Sequence, residues 1–107
     1  DKEQDVDWVL GAAMLMRREL LERIGRFDER FFLYFEDADV CHRAWKAGAR
    51  VTYVPNVRLV HYYQRQSRTR FFWQGFFRPV ARIHLASGVK YFLKYRGQPH
   101  PRSILSA

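Results

Sequence analysis

After Asp39 the chain contains no acid at all. The remaining 68 of its 107 residues carry thirteen Lys and Arg, so a net charge of +8 divides into −5 up to residue 39 and +13 beyond it. A surface so short of carboxylates attracts polyanions: nucleic acid, acidic lipid headgroups or phosphorylated substrates. Cysteine is nearly as scarce; Cys41 alone excludes an internal disulfide and suits a reducing compartment. No apolar run reaches the roughly 18 residues of a membrane span, and the opening DKEQDVDWV does not read as a signal peptide. Internal repeats and low-complexity segments are also missing. Apolar and aromatic residues are abundant, at 48% and 17%, which argues against disorder. A chain of this length would bury roughly two-thirds of its unfolded surface.

Residues 8–16, WVLGAAMLM, read as a buried strand broken by a bend, where Gly11, Ala12 and Ala13 admit a close neighbour. Residues 17–24 predict a short helix with Leu20, Leu21 and Ile24 on one side and Gly25 as its stop. FDERFFLYF fits no single period and predicts a loop with core anchors. Residues 37–47 predict a second helix, with acids in its first turn, Arg43 and Lys46 near its end, and Gly48 beyond. Val40, Cys41, Ala44, Trp45 and Ala47 supply its apolar side. RVTYVP alternates like a strand that stops at Pro55, and VRLVHYY predicts another. Past the basic QRQSRTR and the bulky FFWQGFF, Pro79 opens a long helix to Tyr95. Ala81, Leu85, Val89 and Phe92 share one side of it; Arg78, Arg82, Lys90 and Lys94 drift across the other. GQPHPRSILSA reads as a frayed tail.

The last acids are crowded together. In FLYFEDADV, Glu36, Asp37 and Asp39 stand directly behind a run of large apolar side chains. Acids at a helix start ordinarily accept bonds from free backbone N–H groups and suit the helix dipole. The same placement also serves a carboxylate at a pocket edge, ready to take a proton while an apolar wall limits water. The residues alone leave both readings open.

Three pieces change the balance: WVLGAAMLMRR, GRFDERFFLYFEDADVCHR and KAGARVTYVPNVRLVH, within residues 8–61. In this order they resemble the second half of the catalytic domain of family-2 inverting glycosyltransferases, most of all bacterial rhamnosyltransferase-like members. The resemblance implies an α/β fold of the GT-A (Rossmann-like) kind. Residues 1–63 would be its acceptor-binding half, and residues 64–107 a basic amphipathic helical extension. It implies displacement, with inversion, at the anomeric carbon of a nucleotide-sugar donor by a saccharide or lipid-linked acceptor. In such enzymes the Asp of the Glu-Asp pair is the usual general base, a role that falls on Asp37. The chemistry is sound, because a hydroxyl is a poor nucleophile until a carboxylate within hydrogen-bond reach takes its proton. Glu36 would orient the acceptor or hold the loop, and Asp39 would meet substrate or, more readily, cap the helix.

His61 ends an apolar strand, ordinarily the place of a packed core histidine. The resemblance makes it a ligand of a divalent metal, Mn²⁺ or Mg²⁺, that holds the donor diphosphate in the intact enzyme. Trp8 and Gly11 would line the pocket near the transferred sugar, against the plainer readings of core packing and a bulge. Asp5-Val6-Asp7 has the spacing of the metal-gripping Asp-X-Asp motif, but that motif belongs well upstream of WVLGAAM, so neither residue is expected to bind metal. Arg17 and Arg18 are expected to begin a helix on a solvated face rather than neutralise phosphate. The nucleotide-binding half has no counterpart in these residues. The 107 residues are therefore expected to be a piece that binds no metal and transfers no sugar by itself.

The basic, aromatic tail has three readings. It contacts an anionic membrane surface, with Phe and Trp dipping into the interface. It packs on the missing N-terminal half or on a second copy as a homodimer. It stacks on single-stranded nucleic acid, a partner that ranks last. The first reading implies a cytoplasmic enzyme, peripheral at the inner face of a bacterial plasma membrane. If the enzyme reading fails, a basic aromatic binding module for such surfaces or for single strands is what remains.

Overall fold

The computed structural model describes residues 2–62 and 79–105. The block QRQSRTRFFWQGFF, with Arg78, lies outside the described residues, and so do the expectations that rest on it. In chain order the elements are β1 (Gln4–Asp5), α1 (Arg18–Ile24), α2 (Glu36–Lys46), β2 (Thr52–Tyr53), α3 (Pro79–Lys94) and α4 (Pro101–Leu105).

The core forms around α2. Val40, Cys41, Ala44 and Trp45 are buried with Val51, ringed by Val9, Met14, Met16, Leu20 and Ile24. These are the residues that helical spacing puts on one side, and burying a single side chain such as Val40 contributes about 1.5–3 kcal/mol. Trp45 Nε1 donates to the Val6 carbonyl at 3.1 Å, and Val6 N–H donates to Val51 O at 2.9 Å. Those bonds tie α2 to a two-stranded antiparallel sheet in which Gln4 faces Tyr53 and Asp5 faces Thr52. Asp5 accepts a fork from Arg50 and a bond from Thr52 Oγ1, so it fastens β1 to β2. α1 ends as expected at Gly25, whose φ of 81° suits a residue without Cβ.

Four expectations need correction. Residues 8–16 are not a strand: the chain turns at residues 11–13, leaving Leu15 fully exposed and Trp8 half exposed. Residues 57–62 are not a strand either, and Val57, Leu59, Val60 and Tyr62 stand in solvent. A strand needs a neighbour to pair with, and among the described residues the sheet has only two members. α3 spans the expected residues but faces the other way. Its Leu85, Val89 and Phe92 are at least half exposed, while Ser87 and Gly88 are buried. The inward face wins because it finds hydrogen-bond partners and aromatic rings on the segment before α2. Finally, residues 101–105 form α4, not a frayed end. Buried Pro101 opens this helix, where a missing N–H costs nothing. Arg102 pairs with Asp7 at 2.8 Å and lies over the Trp45 ring. Among the described residues no helix is long and apolar enough to cross a membrane.

His42 is buried where α2, α3 and α4 meet. It stacks on Tyr95 at 3.6 Å, meets His100 edge-on, and has Nδ1 3.3 Å from the Tyr91 hydroxyl. Burial first, and the neighbouring His100 next, push its pKa down to about 4. The unfolded imidazole titrates near 6.5, so unfolding gains a proton between those values. Stability from this group is complete above pH ~6.5 and is lost as pH falls toward ~4, by up to about 3 kcal/mol. Urea midpoints measured between pH 7.5 and 4 should fall in wild type more steeply than in His42→Phe. Parallel curves would remove His42 as the cause.

Candidate functional site

The loop that leads into α2 is held under strain. Phe31 is buried as an anchor, yet its neighbour Phe32 is 83% exposed. Tyr34 and Phe35 both adopt left-handed backbone angles, φ 66° and 65°. That region costs an L-residue about 1–2 kcal/mol, and two bulky residues in succession mark an imposed conformation. The result is an abrupt helix start. Phe35 occupies the N-cap position and contributes no side-chain cap, while Glu36, Asp37 and Asp39 fill the first turn and suit its dipole.

Asp37 is gripped by two backbone amides. Its Oδ2 accepts from Gly11 N–H at 2.9 Å and its Oδ1 from Ala38 N–H at 2.8 Å. A Cβ on Gly11 would stand 3.2 Å from Asp37 Cβ, so only glycine lets the turn come this near without displacement. The small-residue bend therefore admits a close neighbour, as its composition suggests, and that neighbour is Asp37. The same turn leaves Asp37 only 8% exposed. Two surface pockets, about 230 and 340 Å³, lie at the C-terminal end of α2 and beside α4, and Asp37 lines neither. The open rim expected around this carboxylate is not seen among the described residues. Next to it, Glu36 is half buried, and its Oε2 has no hydrogen-bond partner among the described residues. An acceptor stripped of water and left unpaired costs about 1–3 kcal/mol, so this oxygen calls for a donor.

Asp39 does not take up its expected post. Its side chain is completely buried and caps no helix N–H; Arg43 Nε donates to one oxygen at 2.9 Å. Lys94 Nζ and Tyr95 OH donate to the other, each at 2.6 Å. With both oxygens engaged by protein donors, Asp39 is a hub that fastens α3 to α2. Lys94 also reaches Asp28 at 2.8 Å, and Arg43 reaches the carbonyls of Ile24 and Arg26. The Arg30 fork holds the Asp28 carboxyl well below the usual carboxylate range.

The other candidates are not gathered at Asp37. Trp8 is half exposed before the Gly11 turn, and His61 lies in the exposed segment after β2. Among the described residues no three His, Cys, Asp or Glu side chains converge to hold a metal ion. One exposed imidazole is a single ligand, so these residues do not fit a metal centre of their own.

A family model described as glycosyltransferase like family 2 matches residues 1–82. The chain belongs to this family. It is 37% identical over 91 residues to rhamnosyltransferase WbbL of Escherichia coli, covering 85% of this chain and 32% of that protein. It is 42% identical over 60 residues to the N-acetylglucosaminyl-diphospho-decaprenol L-rhamnosyltransferase of Mycobacterium tuberculosis, covering 56% and 20% respectively. Succinoglycan biosynthesis protein ExoA of Rhizobium meliloti is 36% identical over 95 residues, 89% of this chain and 26% of that one. The chain thus spans a third or less of the length of these relatives. No solved structure matches it. Membership of the family-2 glycosyltransferases implies the GT-A fold, of which this small mixed α/β unit is a part.

Several residues around the start of α2 carry no local sequence signal. Lys94 reads from its spacing as one of a solvated basic series, but turns inward because two acids from distant sequence positions meet it. Ser87 and Gly88 put two small residues in the middle of α3, and that is the one hint that a neighbour approaches there.

Proposed function

We propose that the chain is the acceptor-side part of an inverting glycosyltransferase in which Asp37 is the general base. The observation that carries this reading is the grip on Asp37: Gly11 and Ala38 amides each hold one oxygen, at a helix start set by two strained residues. A base must be aimed before its proton transfer is useful, and such an arrangement aims it. The acceptor hydroxyl attacks the anomeric carbon of a nucleotide-sugar while Asp37 takes its proton, and the nucleotide leaves from the opposite face. Glu36 Oε2, which has no partner among the described residues, is suited to accept a second acceptor hydroxyl. The cleft is completed by the rest of the enzyme, with the Gly11 turn as its near wall. Relatives named as rhamnosyltransferases, one of them for a diphospho-decaprenol compound, support a deoxyhexose donor and a lipid-linked acceptor. Offered nucleotide-rhamnose and a polyprenyl-diphospho-sugar, the full-length enzyme should yield a product of inverted anomeric configuration by NMR. A retained configuration would refute a single displacement.

His61 is proposed as a ligand that this chain lends to a divalent-metal site completed elsewhere. In the full-length enzyme His61→Ala should raise the Mn²⁺ concentration for half-maximal activity by about tenfold or more. An unchanged titration would remove the role. Contact with an anionic membrane surface is favoured by α3, whose exposed Leu85, Val89 and Phe92 lie beside exposed Arg82 and Lys90.

A further inference from the structure

The family match ends at residue 82, so most of α3 lies beyond it. Yet the inner face of this helix is spent on the segment that delivers Asp37. His84 stacks on Tyr34 at 4.4 Å, and Ser87 Oγ donates to Leu33 O at 2.7 Å. Lys90 Nζ donates to Arg30 O at 3.1 Å, and Lys94 bonds Asp28 and Asp39. Gly88 lies against the Phe35 ring, where a Cβ would stand 3.2 Å from Cε2 and 3.3 Å from Cζ. Positions 84, 87, 88 and 91 make one helical stripe, and that stripe runs along the loop before α2.

We infer that Ser87 and Gly88 are positioning residues for Asp37: they hold Tyr34 and Phe35 in the left-handed conformation that aims the first turn of α2. Ser87 fixes the carbonyl of the peptide that enters Tyr34. Gly88 leaves the space in which the Phe35 ring is seated. Without these two contacts, residues 34 and 35 are free to relax to negative φ, which any L-residue prefers. The chain would then enter α2 from another direction and carry Asp37 off its line. This rests on the reading of Asp37 as the base.

The test uses the full-length enzyme. Ser87→Ala and Gly88→Ala should each lower kcat by about 10- to 100-fold, the scale of a misplacement near 1 Å. Donor KM should stay within about twofold. Alanine is the better helix former, so Gly88→Ala should lose activity without losing helix content by circular dichroism. Adding Tyr34→Gly to Ser87→Ala should restore much of kcat, since glycine adopts positive φ without penalty. Wild-type kcat in both single variants would overturn the inference. So would a loss that only tracks unfolded protein and that Tyr34→Gly does not repair. If Asp37→Asn keeps its turnover, the base assignment itself fails; if Asp37→Asn is inactive while both α3 variants are unimpaired, only the positioning role falls.

Discussion

Asp37→Asn in the full-length enzyme is expected to lower turnover by about 10²–10⁴-fold, the range a positioned general base contributes. Asparagine keeps the size and one carbonyl oxygen, so a bond from Gly11 N–H or from Ala38 N–H survives. What it cannot do is accept a proton from a hydroxyl. The fold should therefore persist and the chemistry should not. Donor affinity, read by calorimetry with the nucleotide-sugar alone, should be unchanged, because the base acts on the acceptor. A variant with most of its rate intact would assign proton removal elsewhere. One that lost donor binding as well would point to a structural role for Asp37.

Asp39→Ala should act on stability instead. Removing one partner of a buried ion pair costs about 3–5 kcal/mol, because the others remain buried without it. The lower figure applies here, since Lys94 keeps Asp28 and Arg43 keeps the Ile24 and Arg26 carbonyls. Tyr95 is left without its acceptor, and burial pushes that phenol's pKa upward, so it has no cheap way to ionise. A loss of about 3 kcal/mol in a domain of this size lowers Tm by roughly 10–25 °C. Thermal melting followed at 222 nm would read it. A fall of only about 3 °C would mean that the hub contributes little more than a surface pair.

The two substitutions separate neighbours that look alike in sequence. Glu36, Asp37 and Asp39 are all acids in one first turn, and composition gives no reason to treat them differently. Their difference comes from partners far along the chain: Gly11 for Asp37, Lys94 and Tyr95 for Asp39. Helix α2 was legible because its apolar spacing, terminal charges and Gly48 all agree. Gly11 was legible as a place of close approach, though not for what approaches. α3 was legible in extent and not in orientation. An apolar line predicts the buried face only when burial is driven by apolar area, and here polar and aromatic contacts to a strained loop decide it. Residues 57–62 carry a strand's pattern, but pairing is a property of neighbours, and the described chain has none beside them.

The most direct test is a structure of the full-length enzyme with its acceptor and an unreactive donor analogue. Asp37 Oδ1 or Oδ2 should lie about 2.6–3.2 Å from the attacking hydroxyl, with that oxygen in line behind the anomeric carbon. If Asp37 is instead still enclosed beneath the Gly11 turn and a different carboxylate meets the hydroxyl, the account is wrong.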